Sequence, residues 1–179
     1  MLRSVSVIDI AKAFAKTVEP QTALEIGSGE GGILASFDIP CKVGVDNYAP
    51  SLWSSMSNFP NLVPLKWDVL RLMEIFLPKA FELVLGFDIL EHFESQVAAS
   101  LIETAELLAS KAVLFWGPLE KELSVSAIIE NPGQIHHSLL TTMMFDGRGY
   151  EVIRFPHYFR NGRVDSSVDG MLAFKRMCG

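Results

Sequence analysis

Length, composition and charge exclude several classes of protein. The chain has 179 residues, of which 49% are hydrophobic and 20% are charged. This composition is typical of soluble globular domains and differs from that of disordered chains. We therefore expect a single domain over residues 1–179. The formal net charge of -6 makes nucleic acid an unlikely partner, since sequence-independent binding to phosphates requires a concentrated cationic surface.

Targeting and cysteine patterns point to an ordinary cytoplasmic protein. No run approaches the roughly 20 consecutive apolar residues of a membrane-spanning helix, and no basic-then-apolar leader pattern occurs. We expect a cytoplasmic location and no membrane partner. The two cysteines, Cys41 and Cys178, lie far apart without metal-type spacing, so we expect free thiols and no metal site.

Apolar periodicity and turn residues predict alternating helices and strands. In chain order they are helix 6–18, strand 22–26, helix 31–37, strand 42–46, helix 50–58, strand 61–67, helix 69–76, strand 81–87, helix 94–109, strand 111–116, helix 136–145, strand 150–155 and strand 170–176. Apolar strands that alternate with helices favour a parallel sheet covered on both faces. The last two strands lack a helix between them and must be antiparallel. The expected fold is α/β: a Rossmann-like, doubly wound, seven-stranded sheet, mostly parallel, with a C-terminal antiparallel β-hairpin.

A glycine-rich loop, residues 27–32, follows the first strand and opens the next helix. Glycines in this place let the backbone turn tightly and approach a ligand. With Asp46 about 20 residues further on, the dinucleotide-binding fingerprint is formally met. However, Glu25 and Glu30 flank the turn, and no Lys or Arg occurs between Lys16 and Lys42. This local charge opposes a pyrophosphate and favours a cationic ligand.

Acidic residues follow the next three strands. Asp46 ends the second strand, Asp68 follows the third, and Asp88 follows the fourth. Because the carboxyl ends of parallel strands share one edge, we expect these side chains to converge on one cleft. Each of the three aspartates also precedes a predicted helix and could serve as its N-cap instead.

In these motifs the chain resembles class I S-adenosylmethionine-dependent methyltransferases. The segment Glu25-Ile-Gly27-Ser-Gly29-Glu-Gly31 looks like their E-x-G-x-G-x-G motif, and Asp88-Ile-Leu-Glu91-His92 is similar to the D-x-L-E-H segment of one large branch. The resemblance extends over nearly the whole chain, including the closing hairpin. It implies that S-adenosylmethionine is the cofactor.

The same resemblance implies a role for each matching residue. The glycine turn and Glu25 would hold the methionine part, Asp46 the ribose, Asp68 the adenine amino group and Val69 an adenine face. Phe87 or Asp88 would lie near the methyl donor. The full set of cofactor-binding candidates is Glu25, Gly27, Gly29, Gly31, Asp46, Asn47, Asp68, Val69, Phe87 and Asp88.

The sequence identifies the methyl-acceptor site less specifically than it does the cofactor site. Methyl transfer needs no nucleophile from the protein, and a general base helps only for a poorly ionised acceptor. The catalytic candidates are His92, His136 and His137, although all three could be purely structural. Residues 118–135 are predicted to form a binding loop or lid. The connection 157–169 carries further polar residues, His157, Tyr158, Arg160 and Arg163, which would suit an anionic small-molecule acceptor or simply form a solvated turn.

Three functions remain open at this point. The first is a methyltransferase acting on O or N of a small molecule, with substrate selection by the chain itself or by a second copy in a homodimer. The second is a non-catalytic S-adenosylmethionine-binding scaffold. The third is an NAD-dependent oxidoreductase, which the acidic glycine loop opposes.

Overall fold

Helices and strands alternate along the chain in the computed structural model, which describes residues 6–119, 135–160, 163–165 and 168–178, with the backbone alone for 158–160 and 163–165. The α-helices are α1 (Val7–Val18), α2 (Gly32–Ala35), α3 (Ala49–Asn58) and α4 (Ser95–Leu108). The strands are β1 (Thr22–Ile26), β2 (Cys41–Asp46), β3 (Val63–Lys66), β4 (Phe81–Phe87), β5 (Ala109–Leu119), β6 (Glu151–Phe155), β7 (Tyr158–Arg160), β8 (Arg163–Asp165) and β9 (Asp169–Arg176). Short 3-10 helices span Val69–Glu74, Leu90–His92 and Thr142–Phe145.

Seven strands form one sheet in the order β3-β2-β1-β4-β5-β9-β6. Strands β1 to β5 pair in parallel, whereas β9 is antiparallel to both β5 and β6. The predicted fold class is therefore confirmed. The strand order reverses between β1 and β4, and in such sheets the crevice beyond the carboxyl ends at this point is where ligands bind. Strands β7 and β8 form a small separate sheet.

Both faces of the sheet are covered because the strands are apolar on both sides. On one face, α1 buries Val7, Ala11 and Ala15 against strand residues such as Leu83 and Leu114. A capping box between Ser6 and Asp9 begins this helix. On the other face, α4 packs with its own buried set, Ala98, Leu101, Ile102, Ala105 and Leu108, against β1, β4 and β5. Within the described ranges, no helix has both the length and the apolar content needed to cross a membrane.

One predicted helix is wrong. Of the predicted helix 136–145, only the 3-10 turn Thr142–Phe145 forms. Contacts with a distant part of the chain direct this segment instead of the local apolar pattern: the amides of His137 and Ser138 donate to the carbonyl oxygen of Glu91, at 2.8 and 3.3 Å.

Three other predictions need smaller corrections. The predicted helix 69–76 is a 3-10 helix with Arg71 outside helical geometry. The predicted helix 31–37 is reduced to α2. Residues 118 and 119 of the predicted lid belong to β5, where they pair with Gly170 and Asp169; residues 120–134 lie outside the described residues.

A core truncation on α4 tests this packing. Leu101 is 1% exposed and Leu107, on the same helix, is 54% exposed. We expect Leu101→Ala to lower the free energy of unfolding by about 2–5 kcal/mol, because it removes buried methyl groups and leaves a cavity. The matched control Leu107→Ala should cost less than about 0.5 kcal/mol. Urea denaturation of both variants measures the difference, and equal losses would contradict the assignment of the buried face.

Candidate active site at the carboxyl edge of the sheet

The glycine loop folds over the end of β2. The amides of Gly27 and Ser28 both donate to the carbonyl oxygen of Val45, at 2.8 and 3.0 Å. Gly27, Gly29 and Gly31 have φ values of 71°, 50° and 77°, in the left-handed region that favours glycine. The backbone therefore turns sharply where β1 ends.

Asp46 fixes this loop from the neighbouring strand. Its Oδ2 accepts a hydrogen bond from the Gly29 amide at 2.9 Å, and its Oδ1 accepts one from the Tyr48 amide at 2.8 Å. Each carboxylate oxygen has two lone pairs, so each retains acceptor capacity after these bonds. The side chain is held in one orientation and can still accept further hydrogen bonds.

Glu25 lies buried beneath the loop. It is 1% exposed, and its Oε2 accepts a hydrogen bond from the Leu34 amide at 3.2 Å. Burial, assisted by the charges of Asp88 and Asp46 and opposed by the hydrogen bond from Leu34, raises the pKa of Glu25 to about 8. Asp46 and Asp88, from the ends of β2 and β4, thus lie near enough to Glu25 at the end of β1 for their charges to act on it.

Asp88 has strained backbone geometry. Its φ is 49°, and a non-glycine residue in this region costs about 1–2 kcal/mol. Its amide donates to the carbonyl oxygen of Trp116 at 2.9 Å, which ties the end of β4 to β5. Such strain is concentrated at functional sites because the surrounding structure must sustain it.

The remaining cofactor candidates lie at the same edge with different exposure. Asp68 is exposed and caps the 3-10 helix that follows, accepting a hydrogen bond from the Leu70 amide at 2.9 Å, so its alternative role as an N-cap is observed. Val69 and Phe87 are buried, and Asn47 is exposed. Adenine and ribose contacts by these residues stay predictions.

A second cluster of polar side chains lies after β4. Glu91, His92 and His136 are all buried, at 1%, 8% and 8% exposure, and one potential ligand atom from each lies within 4.8 Å of the others. The rings of His92 and His136 are 5.0 Å apart. His137, in contrast, is exposed. The side chains of Tyr158, Arg160 and Arg163 lie outside the described part, and His157 is exposed.

The sequence predicts His92, His136 and His137 as separate catalytic candidates. It does not predict the cluster of Glu91, His92 and His136. A signal was present: Glu91 and His92 follow the fourth strand, His136 follows the fifth strand along the chain, and these two strands are neighbours in the sheet. Residues after adjacent parallel strands meet at one edge.

Sequence comparison gives no match: no protein-family model matches the chain, and no curated protein does. Comparison with solved structures finds proteins of similar fold. A protein from Pyrococcus horikoshii superposes with a TM-score of 0.64 at 14% identity, over 98% of this chain and 96% of that one. An S-adenosylmethionine-dependent methyltransferase from Archaeoglobus fulgidus gives 0.63 at 13% identity, over 96% and 95%. The chain thus shares its fold with both proteins, of which the second is named a methyltransferase.

Another structural neighbour was crystallised with a bound ligand. Magnesium protoporphyrin IX methyltransferase from Synechocystis, crystallised with S-adenosylhomocysteine, gives a TM-score of 0.61 at 11% identity over 94% of this chain and 81% of that one. At such low identities, the likeness concerns the methyltransferase fold, and the role of each residue rests on the geometry of this chain.

Two glycine substitutions separate backbone strain from steric conflict in the loop. A Cβ at Gly27 would lie 2.4 Å from Ile89 Cδ1, whereas a Cβ at Gly29 would have no heavy atom within 4 Å. We expect Gly29→Ala to cost only about 1–2 kcal/mol of stability through its positive φ. Gly27→Ala should cost clearly more, because it adds overlap with Ile89. Thermal unfolding ranks the pair, and the reverse order would contradict the loop geometry.

The pKa of Glu25 predicts how stability depends on pH. The pKa rises from 4.5 to about 8 on folding, so between these pH values the folded protein keeps a proton that the unfolded chain has lost. Stability therefore falls as the pH rises through this window. We expect Glu25→Gln, which mimics the protonated acid, to flatten this slope. The exposed Glu94→Gln is the control, and a slope that Glu25→Gln leaves unchanged in thermal melts would refute the assignment.

Proposed function

We propose that this protein is an S-adenosylmethionine-dependent methyltransferase that methylates an oxygen or nitrogen atom of a small-molecule acceptor. The observation that carries the proposal is the group of three carboxylates, Glu25, Asp46 and Asp88, beside a glycine turn at the switch point of the sheet. The sulfonium and ammonium groups make this cofactor's methionine end rich in positive charge. Carboxylates in a partly desolvated site attract such a ligand.

The residues present fit the cofactor. Gly29 faces open space in which a Cβ would meet no heavy atom within 4 Å, so the backbone there can approach a ligand closely. The remaining lone pairs of Asp46 suit the two ribose hydroxyls, with Asn47 beside it. Asp68 would accept from the adenine amino group through the oxygen that the Leu70 amide does not use, and the neighbouring apolar residue Val69 would pack on the ring.

S-adenosylmethionine supplies a methyl group already activated on its sulfonium. The displacement neutralises charge, so this chain contributes chiefly by holding the reactants in line and excluding water. Asp88, fixed by its bond to β5, and the buried Phe87 would border the reacting end. No covalent intermediate with the protein is required.

A base would be needed only for a poorly ionised acceptor, and it must reach the acceptor's proton. His92, His136 and His137 are the candidates, of which His137 is the solvent-exposed one. An alanine variant with unchanged turnover would remove that histidine from the mechanism. The two arginines of the connection 157–169, Arg160 and Arg163, lead us to propose an anionic acceptor.

The scaffold alternative differs from the enzyme only in turnover, because fold and cofactor binding would be the same. Transfer of a labelled methyl group into a panel of metabolites separates the two. The dinucleotide alternative is opposed by the acidic residues around the turn, because the charges of Asp46 and Asp88 would repel a pyrophosphate.

Calorimetric titration with S-adenosylmethionine, S-adenosylhomocysteine and NAD tests the cofactor. We expect both sulfur compounds to bind and NAD not to bind. Asp46→Asn should weaken binding about 10- to 100-fold, because hydrogen bonds to a charged acceptor are worth about 1.5–3 kcal/mol. Asp38→Asn, at an exposed aspartate after α2, is the control. Binding of NAD with no response to either sulfur compound would overturn the proposal.

A further inference from the structure

We propose that Glu91, His92 and His136 form a binding site for one divalent transition-metal ion. The site is separate from the three carboxylates of the proposed function and does not depend on them. Ligand atoms at about 2.1 Å from one ion lie roughly 3–4 Å from one another. The three candidate atoms here all lie within 4.8 Å of one another, so only small side-chain adjustments would bring them onto a common ion.

The hydrogen bonding of His92 prepares it as a ligand. Its Nδ1 lies 3.2 Å from the carbonyl oxygen of Ile135. A carbonyl oxygen can only accept, so Nδ1 carries the proton, and Nε2 of the neutral ring holds the lone pair. Metal-binding histidines typically donate their second ring nitrogen to a carbonyl or carboxylate in this way, which sets the tautomer and the ring orientation.

Backbone contacts bring the third ligand into place. The carbonyl oxygen of Glu91 accepts from the amides of His137 and Ser138, and these bonds attach the segment that carries His136 to the turn that carries the other two ligands. The ligands are thus held in position by main-chain geometry, not only by their own rotamers.

Gly117 on β5 lies beside the cluster. A Cβ at this position would lie 3.4 Å from Glu91 Oε2, an ordinary contact distance, and 2.5 Å from Leu140 Cδ1. The second contact is closer than real side chains allow, so a larger residue at 117 would displace Leu140, which lies four residues after His136.

The donor set indicates the class of ion. Two imidazoles and one carboxylate suit zinc, manganese, iron or cobalt, whereas calcium and magnesium prefer oxygen ligands. Three protein ligands leave further positions open for water or for an oxygen or nitrogen atom of another ligand.

Cobalt titration of the metal-stripped full-length protein tests the proposal. We expect one equivalent of Co²⁺ to bind, with visible absorption that differs from that of the aqueous ion, and Zn²⁺ to displace it. Zn²⁺ should also raise the midpoint of thermal unfolding. These two measurements need no variant, and an aqueous cobalt spectrum together with no thermal shift would overturn the proposal.

Matched variants locate the site. Glu91→Gln and His136→Ala should weaken Co²⁺ binding at least about tenfold, whereas His137→Ala, at the exposed neighbour, should leave it unchanged. Circular dichroism checks that each variant is folded. An equal loss in His137→Ala, or a cobalt–thiolate absorption band from the exposed cysteines, would also refute the site. Titration of the metal-free protein with S-adenosylmethionine tests the cofactor separately, so each proposal can fail alone.

Discussion

The burial of Glu25 near other acidic side chains is the constraint on which the candidate site depends. Burial, together with the charges of Asp88 and Asp46, disfavours the ionised form of Glu25 and raises its pKa. A cation bound nearby would favour the ionised form again. Asp46 accepts a hydrogen bond from the Gly29 amide, and a Cβ at Gly29 would face open space. The Asp46 side chain therefore both fixes the turn and supplies part of its negative charge.

The sheet could be predicted from the sequence because its strands are apolar on both faces and are separated by clear turn residues. The bounds of β4 agree with the predicted 81–87. The helix predicted at 136–145 was wrong because local periodicity carries no information about contacts with distant residues, such as the attachment of this segment to the Glu91 carbonyl. Likewise, the pattern of 69–76 does not distinguish a 3-10 helix from an α-helix, since both place apolar residues on one side.

Only the part of the site that follows from strand topology could be predicted from the sequence. The acids after β1, β2 and β4 converge because parallel strands end at one edge, and this rule needs no side-chain detail. Two features could be recognised only in the three-dimensional structure. The first is the large rise in the pKa of Glu25, which depends on its burial. The second is the grouping of Glu91, His92 and His136, which depends on the irregular path of the chain after residue 135. The sequence predicts no metal site because the spacing of these three residues follows no familiar ligand pattern.

Strand β9 lies between β5 and β6 although it comes last of the three in the chain. During synthesis on the ribosome, β6 is made before the strand that joins it to the sheet, and β5 meanwhile has an unprotected edge that could pair with another molecule. Residues 169–176 therefore complete the sheet, because they pair with both β5 and β6. Premature termination before them would leave β5 as an exposed edge strand and β6 without its partner, which favours aggregation over folding.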